Sequence, residues 1–161
     1  LVDTGLDTMT GGRIKWAQKY IGDQTFLLTY GDGVSDVNIA ETVKFHQQQH
    51  KSITVTAIQP EARFGNLDIN ADMQVNKFVE KPKTESGWIN GGFFVCEKTV
   101  FDYITEDEGC IFEKEPLQKL ALDGEMAAYK HDGFWQPMDT LRDNQKLNQL
   151  WKENNAPWKV W

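Results

Sequence analysis

The stretch that organises this sequence is Phe26-Leu27-Leu28-Thr29-Tyr30-Gly31-Asp32-Gly33-Val34, an apolar run that ends in an aspartate between two glycines. A run of this length predicts a buried strand, which the glycines end. Ligands of open α/β sheets bind at the carboxyl ends of strands, so we expect Asp32 at the rim of a cleft. A carboxylate there suits a hard cation such as Mg2+. The alternative interpretation is an ordinary Asp-Gly turn.

Length and composition narrow the class of protein. The 161 residues, 40% of them apolar, predict a single globular domain over 1–161 or a large piece of one. A net charge of -7 argues against a nucleic-acid partner, which needs clustered cations. Cys96 and Cys110 lack metal-ligand spacing, which indicates free thiols in a reducing cytoplasm. Without a long apolar stretch or a signal segment, we expect a cytoplasmic protein that does not contact a membrane.

A glycine pair marks the start of the first predicted helix. Thr10-Gly11-Gly12-Arg13 leads into Ile14–Ile21, where apolar residues recur at helical spacing, and Thr10 is the expected N-cap. The first N–H groups of such a helix can bind an anion or a base edge, and Arg13 adds a positive charge. The alternative is an ordinary capped helix with a solvated arginine.

Strands and helices alternate in the first half, followed by an antiparallel insertion and then mainly helices. This order predicts a three-layer α/β fold. His46 and His50 are four residues apart, but with no third ligand in the sequence we expect them at a solvated helix end. The other predicted elements are a helix capped by Asn38 and Glu41, a half-buried strand over Ser52–Gln59, short strands over Leu67–Asn70 and Gln74–Lys81, a strand over Trp88–Cys96, helices over Phe101–Ile104 and Glu115–Leu122, a strand over Ala127–His131, and a last helix capped by Thr140.

Three further motifs in this part of the chain suggest a ligand. Gly65 follows an aromatic residue, and Gly91-Gly92 interrupts an apolar strand, which suggests close approach of a ligand or another backbone. Pro82 ends a strand directly after Glu80 and Lys81. An exposed ion pair is the alternative for these last two residues.

Six motifs in this order together resemble the sugar-1-phosphate nucleotidyltransferase family, most of all its members that use CTP and glucose 1-phosphate. They are Thr-Gly-Gly-Arg, Tyr-Gly-Asp-Gly, Phe-Gly, Glu-Lys-Pro, Asn-Gly-Gly-Phe-Phe and Phe-Trp-Gln-Pro-Met-Asp-Thr. The resemblance extends over essentially the whole chain. It implies a Rossmann-like nucleotide-diphospho-sugar transferase fold of three layers, and attack of glucose 1-phosphate on the α-phosphorus of CTP.

The same resemblance assigns roles to individual residues. It implies that Asp32 and Asp139 hold one Mg2+, and that Lys81 neutralises the sugar phosphate, which makes Asp32 and Lys81 the catalytic residues. The other substrate-binding residues that it implies are Thr10 and Arg13 near the nucleotide, Glu80 on sugar hydroxyls, Gly65 and Gly92 against the sugar ring, and Gly31 and Asn90 within the same motifs.

The sequence departs from the family in one respect. The family's Gly-Gly-x-Gly-Thr-Arg loop and downstream lysine, which hold the nucleotide phosphates, do not occur in these 161 residues. We therefore expect the chain to be the C-terminal portion of a catalytic domain, with a fold incomplete at its N-terminus, and to be inactive alone.

Two alternatives to a nucleotidyltransferase stay open. One is a non-catalytic sugar-binding or oligomerisation module, and Trp158 and Trp161 in the tail suggest a homo-oligomer. The other is a metal-dependent glycosyltransferase. That class usually has two aspartates one residue apart, whereas the next acid after Asp32 is Asp36.

Overall fold

A computed structural model describes residues 1–60, 66–79 and 87–161. Its elements confirm the predicted α/β class. The helices are α1 (Thr10–Ile21), α2 (Ile39–Gln49), a 3-10 helix (Lys98–Tyr103), α3 (Glu115–Leu122) and α4 (Leu141–Lys152). The strands are β1 (Phe26–Thr29), β2 (Gly33–Ser35), β3 (Ile53–Ile58), β4 (Asn66–Ile69), β5 (Val75–Val79), β6 (Ile89–Cys96), β7 (Met126–His131) and β8 (Trp135–Pro137).

The strands described form three sheets. The largest has the order β1-β6-β3-β7, and the pairs β2-β8 and β4-β5 are two-stranded. β1 runs antiparallel to β6, with Phe26 opposite Cys96 and Thr29 opposite Phe93.

Burial along two strands differs from the prediction. β1 is not a buried strand, because Leu27 is 57% exposed. Among the described strands β1 lies at the end of the sheet order, and a strand with a neighbour on one side buries less of its surface. β3 was predicted to be half-buried, yet every position except Val55 is buried, because β3 lies between β6 and β7.

The chain forms two compact units. The first comprises Leu1–Gly31, Asn38–Thr56 and Gly92–Tyr129, and the second comprises Asp32–Val37, Ala57–Gly91 and Lys130–Trp161. The expectation of a single domain over 1–161 stays a prediction.

The first unit contains the hydrophobic core. α1, β3, β6, the 3-10 helix and the segment up to α3 contribute to it, with Phe94, Phe101 and Phe112 as its largest side chains. Phe94 meets Phe112 edge to face, with ring centroids 5.8 Å apart. Such aromatic pairs stabilise a core beyond the area that they bury.

His46 is buried, so the prediction of a solvated helix end is wrong for it. Its side chain is buried, with Nδ1 2.8 Å from Thr54 Oγ1 and Nε2 3.1 Å from Glu97 Oε1. A buried imidazole needs a partner at each nitrogen, and both are supplied by the protein. His50 is exposed and ends α2 in the left-handed conformation.

The second unit contains the β2–β8 ribbon, the β4–β5 hairpin and α4. Thr140 caps α4 as predicted, and Asp143 completes a capping box. Asn38 likewise caps α2, in the first unit, by accepting a hydrogen bond from Glu41 N at 3.1 Å. None of the described helices is long and apolar enough to cross a membrane.

Candidate active site

The β2–β8 ribbon brings together the two aspartates that were predicted to bind metal. Gly33 lies opposite Pro137 in an antiparallel register. The pairing continues one step further, because Met138 N donates to Asp32 O at 2.7 Å. Met138 is thus the residue opposite Asp32. Asp139 is the next residue in the chain, and its Cα lies about 3.8 Å from the Cα of Met138.

The carboxylates of Asp32 and Asp139 are both exposed, and no described residue forms a hydrogen bond or an ion pair with either side chain. No cluster of three or more potential metal ligands occurs among the described residues. Two carboxylates still suit Mg2+, which takes one or two from a protein and fills its other positions with water and phosphate. A cation bound by both carboxylates would also offset the repulsion between their like charges.

Several hydrogen bonds hold strand β8 of the ribbon in place. Trp135 Nε1 donates to Gly91 O at 2.7 Å. Gln136 Nε2 donates to Asp143 Oδ1 at 3.1 Å, and Lys146 Nζ donates to Gln136 Oε1 at 2.8 Å. Because Asp143 also belongs to the cap of α4, the strand before Asp139 and the helix after it are joined at the same carboxylate.

The start of α1 differs from the prediction in both its cap and its N–H groups. Met9 occupies the N-cap position, and Thr10 is the first helical residue. Gly11 N and Gly12 N donate to the same carbonyl, Cys110 O, at 2.9 and 3.3 Å. These N–H groups are therefore occupied and do not form the open anion site that the glycine pair suggested.

Thr10 and Tyr30 both donate hydrogen bonds to Glu113. Thr10 Oγ1 lies 2.7 Å from Glu113 Oε2, and Tyr30 Oη lies 2.6 Å from Glu113 Oε1. Thr10 Oγ1 also accepts from Phe112 N at 3.0 Å. The hydroxyl predicted to face the nucleotide thus joins α1 to the segment before α3 and, through Glu113, to the end of β1.

Arg13 is engaged by the N-terminal segment. Its guanidinium donates from Nη1 to Thr4 Oγ1 at 2.6 Å and from Nη2 to Leu6 O at 3.0 Å. A planar guanidinium is well suited to hold two acceptors at once. Arg13 therefore fastens residues 4–6 to α1 in this structure.

Gly92 has a structural reason to be glycine. Its φ is +79°, and a Cβ at this position would collide with the ring of Tyr30. The close approach that the glycine pair predicted is therefore made by an aromatic ring of the protein itself. Gly31, by contrast, has open space where a Cβ would be.

A family model described as nucleotidyl transferase matches residues 7–153. The chain belongs to the nucleotidyl transferase family. Within the family, it is 52% identical to a glucose-1-phosphate cytidylyltransferase of Salmonella typhimurium, over all of this chain and 62% of that protein. It is 46% identical to a probable glucose-1-phosphate cytidylyltransferase of Bacillus subtilis, over 99% of this chain and 62% of that protein. The chain thus spans about three fifths of the length of these curated relatives.

Solved structures share the fold. HddC from Yersinia pseudotuberculosis superimposes with a TM-score of 0.66 at 25% identity, over 89% of this chain and 63% of that one. A putative glucose-1-phosphate thymidylyltransferase from Bacillus anthracis gives 0.68 at 18% identity, over 91% and 62%. The Rossmann-like α/β fold that the motifs implied is thereby confirmed.

The structure places only some of the residues to which the family resemblance gave a role. Gly65, Glu80 and Lys81 lie outside the described residues, so their roles stay predictions. Asn90 is exposed on β6, directly before the Gly91 carbonyl that accepts from Trp135.

Sequence reasoning missed most of the supporting residues, among them Glu113 and Asp143. Each makes its contacts with residues distant in the chain or through a cap, and none stands in a spacing that signals a site. For Glu113 the partners are 103 and 83 positions away. A carboxylate in a mixed polar segment carries no sequence signal for such pairing.

Proposed function

We propose that the full-length protein containing this chain transfers a cytidylyl group from CTP to glucose 1-phosphate, giving CDP-glucose and pyrophosphate. The observation that carries the proposal is the 52% identity to a glucose-1-phosphate cytidylyltransferase over all of this chain. The pair of exposed carboxylates on the β2–β8 ribbon agrees with it, because transfer between two phosphates needs charge neutralisation more than covalent help from the protein.

The bonds made and broken follow from the substrates. A phosphate oxygen of glucose 1-phosphate attacks the α-phosphorus of CTP, and the bond between that phosphorus and the bridging oxygen to the β-phosphate breaks. The attacking oxygen is already an anion, so no side chain has to remove a proton. The protein must instead place the two phosphates in line and hold them together against their mutual repulsion.

Asp32 and Asp139 would hold a Mg2+ ion in this scheme. When bound, the ion neutralises charge on the reacting phosphates. Both carboxylates are hard oxygen ligands without a protein partner among the described residues, and both start from a ribbon held by Trp135 and by the cap of α4. They can therefore accept an ion without breaking existing hydrogen bonds. Lys81 and Glu80 remain the proposed contacts to the sugar phosphate and the sugar hydroxyls.

The structure suggests an indirect role for two residues of the nucleotide motif. Thr10 already donates a hydrogen bond to Glu113, and Arg13 already donates hydrogen bonds to Thr4 and Leu6. We propose that they affect nucleotide binding indirectly, by fixing these neighbours within the first unit. The Arg13 guanidinium has five N–H donors, of which these two bonds use two, so it can keep its neighbours in place while other donors remain for a ligand.

Incubation of the full-length protein with CTP, glucose 1-phosphate and Mg2+ tests the proposal. We expect release of pyrophosphate together with CDP-glucose, and much slower release when UTP, ATP, GTP or dTTP replaces CTP. No pyrophosphate with any nucleotide would overturn nucleotidyl transfer, and faster reaction with dTTP would overturn the choice of base. Free UDP formed from UDP-glucose would indicate the glycosyltransferase alternative instead.

A further inference from the structure

A compact polar cluster closes the end of the β2–β8 ribbon that lies away from Asp32 and Asp139. His131, the last residue of β7, has a side chain only 12% exposed. Its Nε2 lies 2.9 Å from Asp36 Oδ1, 3.2 Å from Ser35 Oγ and 3.3 Å from Phe134 O. Ser35 Oγ and Phe134 O lie within hydrogen-bonding distance of this nitrogen, and Asp36 Oδ1 makes a close polar contact with it without a hydrogen bond. These neighbours favour the tautomer with the proton on Nε2.

The same residues join the two strands of the ribbon to each other. Ser35 Oγ donates to Phe134 O at 2.8 Å and accepts from Val37 N at 3.1 Å. Asp36 N donates to Phe134 O at 3.2 Å, which continues the ribbon pairing by one step. Phe134 in turn stacks on Trp158, with ring centroids 5.5 Å apart.

Gly133 lets this cluster close. A Cβ at Gly133 would lie 2.6 Å from His131 Cε1 and 2.9 Å from His131 Nε2, and would also collide with Asp36 Oδ1. Any other residue at this position would push the imidazole away from the carboxylate. The close approach of His131 to Asp36 therefore requires glycine at position 133.

The cluster is not a nucleophilic triad. In a Ser-His-Asp triad the hydroxyl and the carboxylate contact different ring nitrogens, so that the imidazole can take a proton from serine while the carboxylate orients it. Here Ser35 and Asp36 both meet Nε2, and the Ser35 hydroxyl donates to a backbone carbonyl. The arrangement can hold strands together, but it cannot activate Ser35.

We propose that His131 is a positioning residue for the metal-binding carboxylates of this site, an inference that rests on the proposed function. The ribbon has only three paired residues in each strand, and a two-stranded ribbon is marginal alone. Its alignment therefore depends on what fastens its ends. His131 fastens one end through its contacts with Ser35 and Phe134 O, one on each strand side of the ribbon, and lies close to Asp36. The other end, four residues or about 13 Å from Asp36, carries Asp32.

Histidine variants of the full-length protein test this role. His131→Asn removes the donor at Nε2, whereas His131→Gln can return an N–H near the same place. His50→Asn is the matched control, because His50 is exposed and left-handed, a conformation that asparagine tolerates. Binding of Mn2+ alone, followed by electron paramagnetic resonance, reports on the carboxylate pair without turnover. Hydrogen exchange at Met138 N reports on the ribbon in metal-free protein.

We expect His131→Asn to weaken Mn2+ binding about tenfold, as loss of a supporting partner typically does, and to speed exchange at Met138 N. His131→Gln should bind Mn2+ nearly as well as the unmodified protein, and His50→Asn should match it fully. If His131→Asn does not fold, Ser35→Ala should shift Mn2+ binding in the same direction by cutting the same end of the ribbon.

Two outcomes would overturn the proposal. One is unchanged Mn2+ binding in folded His131→Asn, even with a lowered melting temperature. The other is equal loss in the asparagine and glutamine variants. Failure of the proposed function looks different, because unmodified protein would then release no pyrophosphate while the Mn2+ comparison still decides the role of His131.

Discussion

The start of α1 and the β2–β8 ribbon both carry motifs that suggested ligand binding, yet they use their polar groups in opposite ways. At the start of α1, Gly11 N and Gly12 N are bonded to Cys110 O, and Thr10 is bonded to Glu113. On the ribbon, the carboxylates of Asp32 and Asp139 are exposed and have no partner among the described residues.

The difference shows that a motif can be retained by packing as well as by chemistry. Glycines beside a helix start permit anion binding, but they also permit other residues to approach closely. Here Cys110 approaches Gly11, and Thr8 and Asp107 approach Gly12. Polar groups that no described residue engages stay available to a ligand, whereas groups already bonded within the protein do not. By this criterion the ribbon is the better candidate.

The largest expected effect is on the ribbon. Asp139→Asn in the full-length protein should lower turnover by about 100-fold or more, the scale of losing one preorganised charge-stabilising group, and should raise the Mg2+ needed. The melting temperature should not change, because the carboxylate is exposed and has no described partner. Steady-state rates over a Mg2+ titration measure this.

Asp72→Asn is the control for that experiment, since Asp72 is exposed in the turn between β4 and β5. It should leave turnover unchanged. If Asp139→Asn behaves like the control, the role of Asp139 is limited to preceding the cap of α4, and the comparison between the two regions fails.

Gly11→Ala should destabilise the protein, because the new Cβ would lie 2.6 Å from Cys110 Sγ and 2.9 Å from the backbone oxygen of Cys110. Overpacking of this kind costs about 1–3 kcal/mol in the free energy of unfolding. Gly31→Ala is the matched substitution, because its Cβ would enter open space, and it should change stability by less than about 0.5 kcal/mol. Urea unfolding of both variants measures the difference. Equal stabilities, with weaker CTP binding for Gly11→Ala, would instead mark the glycine pair as a ligand loop.

A smaller effect is expected for the threonine that begins α1. Thr10→Val removes the hydrogen bonds to Glu113 and from Phe112 N, and should cost about 1–2 kcal/mol of unfolding free energy. Thr8→Val is the control, because Thr8 is buried and its hydroxyl has no hydrogen-bond partner among the described residues. That variant should be neutral or slightly stabilising. A larger loss for Thr8→Val than for Thr10→Val would contradict the structural role of Thr10.

The smallest expected effect concerns Glu125 in the first unit. Like Glu113, Glu125 accepts two hydrogen bonds from other residues of the protein. Hydrogen bonds from the Ser52 hydroxyl and from Ser52 N, at 2.7 and 3.0 Å, lower the pKa of Glu125 below its ordinary value of 4.5. A lowered carboxyl pKa stabilises the folded state above that value, and the contribution is lost as pH falls through the folded pKa.

The melting temperatures of the original protein and of Glu125→Gln should therefore differ most near neutral pH. The difference should shrink as the pH falls below about 4.5, where the unfolded chain takes up the proton first. Melting curves between pH 3 and 7 measure it. A constant difference over that range would show that the contact with Ser52 stabilises the protein by packing and not through the charge of Glu125.

The sequence predicted much of the fold because local signals agree with it. The cap at Thr140 and the helix over Glu115–Leu122 depend on short-range features, and both were found where the sequence placed them. Burial was predicted less well. Leu27 is exposed and His46 is buried, because burial depends on which elements lie next to a residue and not on its type.

The sequence alone determined the family and the α/β class, because these rest on residue types in a particular order. The metal role of the two aspartates stays a prediction. Only the tertiary structure decided which motif groups are already bonded within the protein. Asp32 and Asp139 are 107 positions apart in the chain, and the antiparallel register of β2 and β8 brings their backbones together. Thr10, Gly11 and Gly12 look equally able to bind a ligand, but their partners come from residues 110–113, and contacts across such distances follow from packing of the whole chain.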